Sequence, residues 1–205
     1  MKRIYGALSL LFVMIFMSAC TAERSEKMYI EAAQLSKEER KVAELLGLNQ
    51  GQHIYDFCLD DSVTSIRINT YELVDGVWQL IAGGGGQTLQ DSEGRIALGF
   101  EKIGDGLRIA VQSENHGGSS SYFKDVNEDY AGMGCATSML SDRTEVVYDR
   151  EIPLVLQIVT SQKNVTAYVM DYFFQPEEYA KYNYEHVYAI TVLFSHKTVN
   201  ELSVQ

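Results

Sequence analysis

From residue 53 onward, apolar residues recur with a period of two, cut at short intervals by tight-turn residues. Successive side chains of an extended strand point to opposite faces, so this period specifies strands rather than helices. Ile66 and Ile68, then Tyr71 and Leu73, run along Ser62 to Val74, with a phase slip between the pairs that marks a β-bulge. Asp75-Gly76 is a two-residue hairpin signal, and Val77 to Ile81 is the returning strand. Asp91-Ser92-Glu93-Gly94 turns into Arg95 to Phe100, and Gly104-Asp105-Gly106 turns into Leu107 to Val111. A polar, Gly- and Ser-rich segment, Ser113 to Ser121, then leads into the least regular stretch, up to Asp142. Strands resume with Ile152, Leu154, Leu156 and Ile158 on one face. Val165, Ala167 and Val169 read as the next strand, across the Gln162-Lys163-Asn164 turn, and Tyr188, Ile190, Val192 and Phe194 as the last. Pro176 to Lys181 reads as a short helix with Pro in its first turn. Strands joined by turns this tight pair antiparallel, and no strand–helix–strand alternation argues for a parallel sheet.

One helix is signalled upstream. Ser36-Lys37-Glu38-Glu39 is a capping box, in which side chain and backbone of the first and fourth residues satisfy each other. Val42, Leu45 and Leu46 follow on one face, and Gly47 suits the left-handed stop. A looser helix is expected from Met28 to Gln34. The expected fold class is therefore mostly β (α+β): an antiparallel β-sandwich with a short N-terminal helical element, in one domain spanning 28–205.

The first 27 residues have a different character. Lys2 and Arg3 precede an apolar run, Ile4 to Met17, and Ser18-Ala19 supply the small residues of a signal-peptidase site. The run is shorter than the roughly 20 apolar residues that cross a bilayer, and polar residues follow at once. Met17-Ser18-Ala19-Cys20 resembles the lipobox of bacterial lipoproteins, with Met17 where Leu is commoner. The resemblance implies that residues 1–19 are a signal peptide and that Cys20 carries diacylglycerol with palmitate-type chains. It further implies that residues 20–27 are a short tether holding the domain to the outer face of the cell membrane. Each buried methylene contributes about 0.8 kcal/mol, so two or three chains hold firmly.

Loss of residues 1–19 leaves 186 residues, enough for one well-filled core. Lys2 and Arg3 go with the signal, so the formal charge falls from −11 to −13. That balance argues against nucleic acid, which needs a basic footprint, and leaves any membrane attachment to lipid. The remaining cysteines, Cys58 and Cys135, could be bridged in an oxidising compartment or stay as thiols. A bridge would close a loop of about 78 residues, contributing roughly 4.5 kcal/mol on the chain-entropy estimate.

Several clusters are candidates for chemistry. His116-Gly117-Gly118-Ser119 followed by Gly134-Cys135 resembles the L,D-transpeptidases, cell-wall enzymes with a Ser-His-Gly-Cys nucleophile motif. The resemblance implies Cys135 as nucleophile with His116 lowering its pKa. Here Gly132-Met133 stands where that family has Ser-His, and Ala136-Thr137 follows the Cys. The His-Gly-Gly run is also similar to an esterase oxyanion loop, but no Gly-x-Ser-x-Gly elbow accompanies it. Asp125, Asn127 and Asp129 have the spacing that opens a calcium loop, while Tyr130 and Ala136 exclude an EF-hand. His53, Cys58 and Asp60 match no closed zinc set. Gly83-Gly84-Gly85-Gly86 lacks the Lys of a phosphate loop and reads as a flexible hairpin end.

The density of aromatics near the C-terminus is the remaining feature: Tyr168, Tyr172, Phe173, Phe174, Tyr179, Tyr182, Tyr184 and Tyr188. Tyr supplies contact area with a polar tip, and strand faces also favour it. Tyr179, Tyr182 and Tyr184 are the expected contact face of a non-catalytic binding module for a small ligand or a protein partner. A cell-wall enzyme using Cys135 and His116 is the alternative, and a structural lipoprotein partnering another membrane protein is a third.

Overall fold

The computed structural model describes residues 27–45, 53–123, 130–166 and 168–202. Twelve strands run through them: β1 (Tyr29–Ala32), β2 (His53–Cys58), β3 (Ser65–Val74), β4 (Val77–Ala82), β5 (Gly86–Thr88), β6 (Glu93–Gly99), β7 (Leu107–Ser113), β8 (Gly117–Tyr122), β9 (Gly134–Met139), β10 (Thr144–Glu145), β11 (Ile152–Thr160) and β12 (His186–Ser195). Two short α-helices, α1 (Lys37–Leu45) and α2 (Val199–Leu202), and 3₁₀ helices at Ile103–Asp105, Met170–Phe174 and Pro176–Lys181 complete them. All pairings are antiparallel. The first sheet has the order β10-β1-β2-β6-β7-β8, and the second β4-β3-β12-β11-β9, with β5 also on β3. The architecture is the expected sandwich with a short helix near its start.

The core lies between the sheets. Ile30, Tyr55, Phe57, Ile96 and Leu107 from the first sheet meet Ile66, Leu154, Tyr188, Ile190 and Phe194 from the second, each at most 2% exposed. Fully burying an aliphatic or Phe side chain contributes about 1.5–3 kcal/mol, so this layer dominates the stability. Where Tyr55 crosses it, its hydroxyl donates to the Leu154 carbonyl at 2.8 Å, so no polar atom is stranded there.

The second sheet is covered on both faces. All nine residues of β11 are buried, and nine of the ten in β12. The 3₁₀ helices at 170–174 and 176–181 roof the outer face, packing Tyr168, Phe173 and Tyr179 on Leu156, Ile158, Val187 and Ala189. Trp78 of β4 joins this layer: its ring stacks on Phe173 at 5.3 Å and its indole N–H donates to the Phe173 carbonyl at 2.8 Å. The predicted alternation along β11 is thereby split. A bulge between Pro153 and Val155 shifts the register against β12, so Ile152 and Leu154 face the inner core while Leu156 and Ile158 face the outer layer.

The phase slip in β3 is not a bulge of that strand: both its faces are covered, so the apolar residues change face partway along it. Pairing of β3 with β12 runs without a shift from Ser65 to Glu72. The extra residue sits in β4, where Thr70 faces Ala82 and Tyr71 faces Leu80. Ile66 and Ile68 are inner-core residues, and Tyr71 and Leu73 serve the outer layer. The Asp75-Gly76 hairpin forms as predicted, with both residues at positive φ, 52° and 79°.

Three segments differ from expectation. Tyr29–Ala32 is a strand between β2 and β10, with Ile30 in the core, not a loose helix. Val165 and Val169 belong to no strand; residues 161–166 and 168–169 are irregular, and Val169 is exposed. Ala167 lies outside the described residues. The Gly- and Ser-rich segment yields β8, the outer strand of the first sheet. The capping box of α1 forms: the Ser36 amide donates to Glu39 at 2.7 Å and the Glu39 amide to the Ser36 hydroxyl at 3.2 Å. Those two bonds, with Arg95 adding to them, hold the Glu39 carboxyl down to about 2. The predicted apolar face of α1 is not its packing face, because only Ala43 is buried and Val42 and Leu45 are exposed. Leu46 and Gly47 lie outside the described residues. No helix among the described residues is long and apolar enough to cross a membrane.

Candidate functional site

The sandwich is incompletely filled at one side. There the inner face of β7 presents Leu107, Ile109 and Val111, and the inner face of β3 presents Ile66, Ile68 and Thr70. Filling the gap would take large side chains from the next strand out on each side. The first sheet offers β8, whose positions opposite Leu107, Ile109 and Val111 are Tyr122, Ser120 and Gly118. The second offers Ala82 and the glycine run. The result is a cleft of about 290 Å³ with an aliphatic base and a rim of Gly83, Gly85, Gln87, Ser120 and Ser121. Gln87 closes one end by lying against Gly118, where a Cβ would sit 3.3 Å from its side-chain oxygen.

The glycine wall is held in place rather than flexible. Gly83 has φ +109°, and a Cβ there would lie 2.5 Å from the Ile68 carbonyl oxygen and 2.9 Å from the Asn69 Cα. Only glycine lets the two backbones approach this closely. The next amide, Gly84, donates to the Asn69 side chain at 3.1 Å. Asn69 is itself fixed from the outer side, donating to Glu151 at 2.7 Å, and Tyr71 donates to the same carboxylate oxygen at 2.5 Å. Burial first, and the Glu151 carboxylate second, hold the Tyr71 phenol above its ordinary range, so it stays a donor.

At the β7–β8 turn a second cluster forms around Asp91. Its carboxylate accepts from the Ser113 hydroxyl at 2.5 Å, the Asn115 amide at 3.2 Å and the Asn115 side chain at 3.0 Å, and lies 3.2 Å from His116 Nδ1. These bonds, that of Ser113 foremost, hold the Asp91 carboxyl far below the usual carboxylate range. Serine, histidine and aspartate are all present, but both the hydroxyl and the imidazole address the same carboxylate. No imidazole stands between hydroxyl and acid to take its proton, so the arrangement orders a turn and activates no nucleophile.

The sequence-predicted residues fall as follows. His116 and Cys135 are not brought together. Cys135 is on β9, the edge of the second sheet away from β4, whereas β8 lies over β3 and the glycine run. Three strand spacings separate β9 from β3, about 14 Å. Cys58 and Cys135 are not bridged: one lies on β2 of the first sheet and the other on β9 of the second, and neither is in a disulfide. Tyr179 is 2% exposed and belongs to the outer layer, so it is not a contact residue. Tyr182 is 40% exposed and stacks on Tyr184 at 5.5 Å with rings nearly parallel. The Tyr184 hydroxyl accepts from the Thr166 amide at 3.1 Å. Those two tyrosines edge the outer layer and line no cavity described above.

His53 and Cys58 are five residues apart on one strand, roughly 16 Å, and face opposite sides, so they share no ion. Asp60 is engaged by Ser62 and Tyr148. Among the described residues no group of three or more His, Cys, Asp or Glu side chains is placed to hold a metal. Asp125, Asn127 and Asp129, and Cys20, lie outside the described residues.

Gly118 and Ser120, and their position opposite the glycine run, were not legible as a site. The available signal was small residues at alternate positions, which has meaning only once 117–122 is known to be a strand. Comparison of the chain with protein-family models, curated proteins and solved structures finds no match.

Proposed function

We propose that this chain is an extracytoplasmic lipoprotein, anchored through an acylated Cys20, whose sandwich is a non-catalytic binding module with its ligand site in the cleft between β8 and Gly83–Gly85. The cleft carries the reading: a void of about 290 Å³ stands against the edges of core aliphatic residues and the half-buried Ile109, because its walls, Tyr122 and Gln87 apart, are glycine, serine and alanine. A site with an apolar floor and a few polar rim groups is the usual form of a small ligand pocket. The Asp91 cluster favours binding over catalysis, since it lacks a base aimed at a nucleophile.

Nile red, a neutral apolar dye, tests the site. The wild-type protein should brighten it saturably, and Ser120→Leu, which places an aliphatic side chain in the void, should abolish the signal at an unchanged thermal midpoint. Equal brightening by both proteins would place the site elsewhere. The anchor is tested separately by intact mass from membranes: loss of residues 1–19 with acyl mass on Cys20 is expected, and a chain retaining Met1 would overturn it.

A further inference from the structure

We propose that the occupant of this cleft is an extended, apolar to basic peptide segment of a partner protein, bound by strand addition to the free edge of β8. The inference rests on the cleft reading above and specifies the ligand.

Three observations carry it. The first is the state of the edge. β8 ends the first sheet among the described residues, and its six residues, Gly-Gly-Ser-Ser-Ser-Tyr, include no charge and no proline. Exposed edges are ordinarily guarded by lysine, proline or a bulge, and an unguarded one is a template for another strand.

The second is the backbone phase. Ser113 N–H donates to the His116 carbonyl at 2.8 Å, which makes this pair a hydrogen-bonded one. Hydrogen-bonded and non-bonded pairs alternate along an antiparallel ladder, so 118, 120 and 122 turn their amides toward β7. Gly117, Ser119 and Ser121 therefore turn N–H and C=O outward, presenting a regular row to an incoming chain.

The third is the side-chain phase. The inward positions of β8 are Gly118, Ser120 and Tyr122, and Gly83 and Gly85 line the cleft beneath that strand. A Cβ on Gly85 would meet nothing within 4 Å, so this side of the cleft is open space. The inward side chains of an added strand thus reach the open mouth of the cleft, where the small Gly118 and Ser120 leave room for large apolar groups at alternate positions. A second copy of this protein fits less well, because apart from Tyr122 at one end its own β8 brings only Gly and Ser to the gap. The charge of the partner follows from that of this chain: Glu114 flanks the β7–β8 turn, and the formal net charge is −11. Neutral to basic segments are therefore admitted and acidic ones repelled.

The test uses a fluorescein-labelled seven-residue peptide of alternating Val and Thr ending in Lys, with the mature protein. Saturable anisotropy is expected, together with at least about tenfold slower amide exchange at Gly117, Ser119 and Ser121, as expected when exposed amides become hydrogen-bonded. Ser119→Pro removes one outward N–H without touching the β7 ladder, and should weaken the peptide about tenfold while Nile red still binds. Peptides N-methylated at alternate amides should split, one register weakened about tenfold and the other unchanged, which decides the matter even if Ser119→Pro misfolds. Peptide binding with no protection at the three amides would overturn strand addition but leave the cleft as a side-chain pocket. Failure of the peptide with retention of Nile red would overturn the peptide as ligand class, and failure of both would remove the cleft reading itself. Concentration-dependent protection of the same amides without peptide would assign the edge to a second copy.

Discussion

His53 shows how burial alone sets a titration. Its side chain faces the inner core at 3% exposure, its ring stacks on Phe100 at 4.3 Å, and its Nδ1 has no hydrogen-bond partner among the described residues. Burial holds its pKa down to about 4, against 6.5 for an ordinary histidine. Below pH 6.5 the unfolded chain takes a proton that the folded state refuses. Stability should therefore fall as pH drops from 6.5 toward 4 and level off below, by up to about 3 kcal/mol. Urea unfolding from pH 7.5 to 4 measures it, and His53→Leu should remove most of that slope. The tyrosines give a second contrast. Tyr179→Ala should cost about 3–5 kcal/mol by opening the outer layer, and Tyr182→Ala about 0.5 kcal/mol or less. Equal costs would contradict the burial described. Gly83→Ala should cost about 3 kcal/mol, because two of the three atoms its Cβ would meet are backbone and φ is positive. Nothing in the composition of residues 83–86 distinguishes that packed glycine from Gly85, which faces open space; the neighbour that decides it, Ile68, is fifteen residues away.

At the scale of elements, legibility follows how local the cause is. The capping box, the Asp75-Gly76 hairpin and Pro176 at the head of its 3₁₀ helix depend on residues within one turn, and all three form as read. Ser36→Ala should loosen α1 by about 1 kcal/mol, seen as faster exchange of the Glu39 amide with little change in global stability. Since Val42 and Leu45 are exposed, Val42→Lys should be close to neutral, where a core-facing helix would lose several kcal/mol. β8 escaped the periodicity because alternation is visible only as contrast between apolar and polar residues, and Gly-Gly-Ser-Ser-Ser has none. β11 reads as a strand, and Pro153, which has no amide to give a ladder, is the local sign of its bulge; what Ile-Pro-Leu-Val-Leu does not specify is which side of the sheet each later residue faces.

Across the whole molecule, the two cysteines are the cleanest check on how the sheets are arranged. Titration of the denatured, unreduced mature protein should find two thiols, and none would mean that β2 and β9 are linked after all. The sequence by itself determined that this chain folds as antiparallel strands with a capped helix before them, since periodicity, turn residues and caps act over a few residues each. It also carried the lipobox resemblance and the acidic balance, which need no fold to be read. Only the tertiary structure decided that Tyr168, Phe173 and Tyr179 roof one sheet. It alone set a glycine run opposite a glycine–serine strand to leave a cleft. The physical reason is that burial and voids belong to surfaces packed across the sandwich, and which surfaces meet is fixed by the pairing of segments far apart in the chain.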